Sequence, residues 1–250
     1  MGGIRISVVI PAYNEEANIC STLKDVIGYL CQTFKDAWEI IVVDDGSTDR
    51  TAALVEEFIE MHKDEAEDGA ERISLLKNVQ NTGKGASVRK GMFAAEGEIR
   101  LFMDADNSTN IRELSKMLPL FNEGCDIVIA SRKLETSIIS RPQPLFRRFM
   151  SSIHHAMVGV ILGTRVSDYN CGFKAFRASV AQSLFSRQRV NRWVFDAEII
   201  FLAKKYGFRI GEIAVTWHHK DTSKVRAIKD SSESFMKVLS IRLNDWRGRY

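Results

Sequence analysis

Short aliphatic, β-branched runs alternate with segments of helical period through the first 130 residues, and this alternation constrains the fold more than any other feature. Residues 4–10, 39–43, 73–76, 99–103 and 126–130 are nearly continuous apolar runs, as expected for strands buried on both faces. Between them, residues 15–30, the stretch from Asp49 or Thr51 through Leu54 and Phe58, 85–95 and 111–121 carry apolar residues three and four apart. Ile19, Leu23, Ile27 and Leu30 share one helical face in the first of these segments. A βαβα rhythm predicts a mostly parallel, open α/β sheet with helices on both faces. Pro11 is expected to stop the first strand.

The rhythm changes after Ser131. Residues 134–144 read as a loop, 145–162 as an amphipathic helix and 168–173 as a compact turn. Residues 196–206 read as a helix, 210–217 as a strand and 231–246 as a last amphipathic helix. No repeat or linker interrupts the chain. Residues 1–250 are therefore expected to form a single domain, about 1–130 serving one ligand and about 131–250 another.

In such sheets ligands bind outside the carboxyl ends of the strands, so the residues there carry the functional signal. The second strand ends in Asp44-Asp45-Gly46-Ser47-Thr48-Asp49, and the fourth in Asp104-Ala105-Asp106. Asp49 reads equally as a helix cap. Two carboxylates in Asp-x-Asp repel unless a hard divalent cation joins them, so Asp104 and Asp106 are expected to hold Mg²⁺ or Mn²⁺ on a diphosphate. Pro11, Tyr13 and Glu15 follow the first strand, where Tyr13 can stack on a flat ring and Glu15 can accept from a ribose or base. Asn81-Thr82-Gly83-Lys84-Gly85 opens a helix whose amides and lysine suit a phosphate. Its plain alternative is a glycine turn with a surface lysine. Together these loops predict a nucleotide-diphosphate crevice bounded by Pro11, Tyr13, Glu15, Asp44, Asp45, Gly83, Lys84, Asp104 and Ala105, with Asp44 and Asp45 on the nucleoside.

Other chemistries are disfavoured. No Gly-x-x-x-x-Gly-Lys-Ser/Thr loop occurs, and no Gly-x-Gly-x-x-Gly follows the first strand. The four cysteines are scattered, without zinc or disulfide spacing, as for a cytosolic chain. His154-His155 and His218-His219 are adjacent pairs, poorly placed to chelate from one element. A net charge of +3 is too small to argue for nucleic acid. Charge is uneven, however. Residues 56–72 are acidic, and 141–148 carry Arg141, Arg147 and Arg148 beside Phe146 and Phe149, a composition suited to an anionic surface or to a solvated helix face.

These motifs, in this order, resemble the family-2 glycosyltransferases of GT-A fold. Ser131-Arg132, Asp168-Tyr-Asn-Cys171-Gly172-Phe173-Lys174, Arg192-Trp193-Val-Phe195-Asp196 and Ser223-Lys224 extend the resemblance over nearly the whole chain, toward the polyprenyl-phosphate glycosyltransferases and, among them, the dolichyl-phosphate β-glucosyltransferases. The related mannosyltransferases carry a glutamine where Ser108 stands. The resemblance implies metal-dependent, inverting transfer of a hexose, glucose ahead of mannose, from a nucleotide sugar to a polyprenyl phosphate. A phosphate monoester is largely ionised at neutral pH, so the reaction needs no strong base. Asp196 and Asp168 are the candidates for a base or orienting group, with capping or ion pairing as their plain alternatives. Arg132, Arg141, Arg147, Arg148 and Lys224 are candidates for the acceptor phosphate and lipid surface. The longest apolar stretch, 156–163, is far short of the ~20 residues that span a bilayer, and no signal peptide is legible. The chain is thus expected to be peripheral, on the cytosolic face of a membrane. A GDP-mannose enzyme and a non-catalytic nucleotide-sugar-binding protein are the alternatives.

Overall fold

The structure is a computed structural model that describes residues 5–62, 70–139, 145–218 and 227–250; the side chains at 70, 145–151, 154 and 227–233 lie outside that description. Its strands are β1 (Ile6–Ala12), β2 (Trp38–Asp44), β3 (Ile73–Lys77), β4 (Ile99–Met103), β5 (Ile127–Ser131), β6 (Ile138–Ile139), β7 (Phe173–Arg177), β8 (Ile210–Ala214) and β9 (Thr216–Trp217). Its helices are α1 (Ile19–Phe34), α2 (Thr51–Met61), α3 (Lys84–Ala94), α4 (Leu114–Asn122), α5 (Leu145–Leu162), α6 (Ala178–Arg187), α7 (Phe195–Lys205) and α8 (Ala227–Trp246).

Seven strands form one sheet in the order β3-β2-β1-β4-β7-β5-β8. All neighbours pair in parallel except β7, which runs antiparallel to both β4 and β5. Strand alternation divides the core. Ile6, Val8 and Ile10 of β1 pack with α1, α2 and α4, while Val9 faces the other way with α3, α6 and α7. Val158 and Leu162 of α5 and Val238 and Ile241 of α8 join that second face. Nine consecutive residues from Phe195 to Ala203 are buried, so α7 is a core helix on every side.

The structure departs from the sequence reading in four places. First, β1 continues through Pro11 to Ala12, paired with β2 alone. Pairing with β4 stops at Val9, so an imide nitrogen at position 11 removes nothing from that side. Second, residues 15–18 form a turn rather than a helical start, because Asn14 adopts φ +55° and Glu15 O accepts from Asn18 and Ile19. Third, Val215 separates β8 from β9, and β9 pairs with β6, which lies inside the segment expected to be a loop. Fourth, β7 and α6 were absent from the sequence reading. A five-residue strand with a lysine at its second position gives no clear period, and only its two partners make it a strand.

A candidate nucleotide-sugar crevice

Because β1, β2, β4 and β5 are parallel, Ala12, Asp44, Met103 and Ser131 all end at one edge of the sheet. The reversed β7 begins there, with Phe173 opposite Met103, and so delivers the 168–172 loop to the same edge.

Asp104 sits at the centre. Its Oδ1 accepts from Lys84 Nζ at 2.5 Å, and its backbone N–H donates to Gly172 O at 3.1 Å. A Cβ on Gly172 would stand 2.1 Å from Asp104 Oδ2 and 2.4 Å from its Cγ, so only glycine lets this loop close on the carboxylate. Gly172→Ala is therefore expected to swing the Asp104 side chain off Lys84 and lower turnover about 100-fold. The fold should survive, because the clash is with one side chain. Turnover beside circular dichroism and melting checks this, and wild-type turnover would refute it.

Asp106 Oδ1 accepts from Ser108 N at 2.9 Å. Burial first, and the charge of Asp104 second, push the Asp106 carboxyl above the ordinary carboxylate range. Burial alone would lower the Lys84 ammonium, but Asp104, Asp196 and Asp106 outweigh it and hold Lys84 above its ordinary value. Among the described residues no ready-made set of three His, Cys, Asp or Glu ligands exists. Two strained hard-oxygen donors that leave the other positions to phosphate and water do fit Mg²⁺ or Mn²⁺, which bind enzymes in that way.

Asp44 and Asp45, expected to act together, are divided. Asp45 accepts from Asn78 Nδ2 (2.9 Å), Thr82 N (2.9 Å), Thr82 Oγ1 (2.8 Å) and Gly83 N (2.8 Å). Burial pulls its carboxyl up, yet these four bonds outweigh burial and hold it below the usual range. Asp45 thus shapes the loop that carries Lys84, and the Thr82 and Gly83 amides expected for phosphate are spent on it. Gly83 itself has φ +103°, and a Cβ there would meet Asn191 O at 2.5 Å. Asp44 accepts from Ser47 N at 3.2 Å on Oδ2, while its buried Oδ1 has no hydrogen-bond partner among the described residues.

The other donor-side candidates lie around this pair. Tyr13 is partly exposed on the β1 exit loop. Glu15 Oε2 accepts from Asn18 Nδ2 at 2.9 Å, and its backbone N–H reaches Thr51 Oγ1 at 2.8 Å. Asn14 Oδ1 accepts from Thr48 N at 2.8 Å, which ties the exits of β1 and β2 together. Asp49 lies one residue before Arg50, the N-cap of α2, and accepts from Thr51 N at 2.9 Å. Ala105 is buried, and its carbonyl accepts from Thr22 Oγ1 at 2.8 Å.

On the other side, Arg132 and Asp168 form a forked ion pair, Nε to Oδ2 at 2.7 Å and Nη2 to Oδ1 at 3.0 Å, and Arg132 N also reaches Oδ2 at 3.2 Å. Burial would raise the Asp168 carboxyl, but the guanidinium holds it down to about 2, as the ion-pairing alternative requires. The Arg132 guanidinium also lies over Trp217, 5.4 Å from the ring centroid. Asp196, second residue of α7, accepts on Oδ1 from Lys174 Nζ at 2.6 Å. The preceding Val194 holds φ +155°, a conformation costing roughly 1–3 kcal/mol for such a residue, and the buried Phe195 keeps the turn in place. Arg141 and Lys224 lie outside the described residues, as do the side chains of Arg147 and Arg148. Lys174, Asn78 and Gly172 were not singled out from the sequence, although Lys174 and Gly172 stand in the 168–174 motif. His218, discounted there, has its N–H on Ser108 O at 2.9 Å, beside the Asp-x-Asp loop.

The chain is 33% identical over 96% of its length to a dolichyl-phosphate beta-glucosyltransferase of Dictyostelium discoideum, of which it spans 74%. It is 35% identical over 89% of its length to one of Drosophila melanogaster, spanning 69% of that protein. Its fold superposes with a TM-score of 0.63, at 22% identity, on a glucosyl-3-phosphoglycerate synthase of Mycobacterium tuberculosis solved with Mn²⁺, UDP and glucosyl-3-phosphoglycerate, covering 96% of this chain and 80% of that one. The architecture is the GT-A fold. The family model described as glycosyl transferase family 2 matches residues 7–185, which include every strand from β1 to β7, and the chain belongs to that family of glycosyltransferases.

Proposed function

We propose that this enzyme transfers glucose from UDP-glucose to a polyprenyl phosphate of the dolichyl type, with inversion at the anomeric carbon. The observation that carries this reading is the placement of Lys84 against Asp104, beside Asp106, at the edge where Arg132 and Asp196 also arrive. The names of the dolichyl-phosphate beta-glucosyltransferases that share a third of its residues support the acceptor.

Asp44 Oδ1, buried and unbonded, suits the imide N–H of a uracil. Asp104 and Asp106 would hold Mg²⁺ or Mn²⁺, and the bound ion supplies charge neutralisation for the diphosphate. Lys84, held against Asp104, adds a positive charge to the same leaving group. The acceptor phosphate oxygen attacks C1 of glucose, the C1–O bond to UDP breaks, and UDP departs with the electron pair. Asp196 orients that phosphate, or takes the one proton left in its monoanion. Arg132, held rigid by Asp168, presents its remaining donor edge to the acceptor.

A peripheral membrane position accords with α5 and α8, which pack together and expose Ile153 and Val160 on one and Phe235, Met236, Leu243 and Trp246 on the other. Among the described residues no helix is long and apolar enough to cross a membrane.

A donor screen tests the function. With a short polyprenyl phosphate and Mg²⁺ or Mn²⁺, UDP-glucose is expected to exceed GDP-mannose, UDP-galactose and UDP-N-acetylglucosamine by at least about tenfold in kcat/KM, a preference of about 1.4 kcal/mol. Preference for GDP-mannose would overturn the sugar. Binding of UDP without turnover on any donor would revive the non-catalytic alternative.

A further inference from the structure

Among the buried charged residues, Lys174 takes no part in the proposed transfer yet lies beside the residues that do. Lys174, the second residue of β7, is 0% exposed, and its ammonium donates three hydrogen bonds: to Tyr169 O at 2.9 Å, Cys171 O at 2.5 Å and Asp196 Oδ1 at 2.6 Å. Its donors are thereby all used. The strand places it opposite Phe102 of β4 and Ile129 of β5, with the Phe102 ring centroid 5.5 Å from the ammonium. A lysine is costly at such a position and is tolerated only when paired and fully bonded.

Its partners say what it joins. Tyr169 and Cys171 belong to the loop whose Asp168 clamps Arg132 and whose Gly172 closes on Asp104. Asp196 opens α7, just after Trp193, whose ring lies 5.9 Å from the Lys84 ammonium. Lys84 lies in the field of both Asp104 and Asp196. The charges therefore alternate across the crevice: Lys174, Asp196, Lys84, Asp104.

We propose that Lys174 is a positioning residue that neutralises Asp196, so that Lys84 stays on Asp104 and faces the diphosphate. Without Lys174 the Asp196 carboxylate is left buried and uncompensated, and Lys84, which lies beside Trp193 and already feels the Asp196 charge, is a cation able to balance it. Lys84 then turns away from the donor. Lys174 touches neither donor nor acceptor, and acts through Asp196 alone. The inference rests on the proposed function for the identity of the donor, but not for that of the acceptor.

The test is a double-mutant cycle on the full chain: wild type, K174M, D196N and K174M/D196N. Turnover is measured with UDP-glucose and a short polyprenyl phosphate, and UDP binding by the rise in melting temperature. K174M is expected to lose about 100-fold in kcat and most of its UDP-induced shift. D196N keeps the shift, because the charge that would draw Lys84 away is absent. The double variant should match D196N in both readouts within about twofold, each UDP-induced shift being taken from that variant's own melting temperature without UDP, because the lost Tyr169 and Cys171 carbonyl bonds lower stability in the absence of UDP rather than redirect Lys84. A residue that only supports the fold would instead give losses that multiply. Multiplying losses, or a full UDP shift in K174M, would overturn the proposal. If K174M does not fold, the comparison of K174M/D196N with D196N still decides. A wild-type chain that binds UDP without glucosylating the lipid phosphate would overturn the proposed acceptor, and the UDP readout would still decide on Lys174.

Discussion

Asp106→Ala is expected to lower turnover at least about 1000-fold at saturating donor and acceptor, the upper range for removing one preorganised electrostatic group from a reaction of this kind. The fold should persist. In the structure Ser108 and the charge of Lys84 favour the ionised form of this carboxylate, but burial and the neighbouring Asp104 charge outweigh them. Removing it should leave melting in the absence of divalent cation unchanged or slightly higher. It should also abolish the extra stabilisation that UDP gains from Mn²⁺. Retained turnover, or an unchanged Mn²⁺ effect on UDP binding, would show that the cation is held elsewhere.

Asp168→Ala should act on stability as much as on turnover. It leaves the Arg132 guanidinium partly buried without its fork partner and strips an acceptor from the 168–172 loop. Breaking a buried pair from one side costs about 3–5 kcal/mol, or about 10 °C in melting temperature for a chain of this size. The pH dependence follows from the same contact. The carboxyl is held down to about 2 from an unfolded value of 3.8, so its contribution is fully present above pH ~4 and is lost as pH falls through 2. That depression is worth about 2 kcal/mol. Wild type should therefore lose this increment between pH 4 and 2, and Asp168→Ala should lack it. Acid-titrated melting curves of the two proteins check the claim, and parallel curves would refute it.

Much of the donor half was legible in the sequence because its signals are local. An apolar run buried on both faces reads as a parallel strand, and an Asp-x-Asp or Gly-Lys-Gly after such a run falls at the carboxyl edge by topology alone. Asp104, Asp106 and Lys84 meet for that reason. The acceptor half was less legible. Its core strand β7 is five residues long with a buried lysine at its second position, and burial of that charge makes sense only beside Asp196, 22 residues further on. Asp45 shows the same limit within the donor half. Its neighbour Asp44 keeps an open acceptor atom, while Asp45 turns into a loop that starts more than 30 residues later, and no local pattern distinguishes the two.

By itself, then, the sequence determined a parallel α/β sheet, the edge at which the chemistry gathers and the residue types gathered there. Strand period and turn chemistry are properties of a few consecutive residues. Only the tertiary structure decided which carboxylate faces a ligand and which holds the frame. That depends on one antiparallel strand inserted between β4 and β5, which brings Gly172 against Asp104 and Lys174 against Asp196. Pairings between residues distant in the chain are set by what each buried charge finds opposite it, and that partner is visible only once the sheet is assembled.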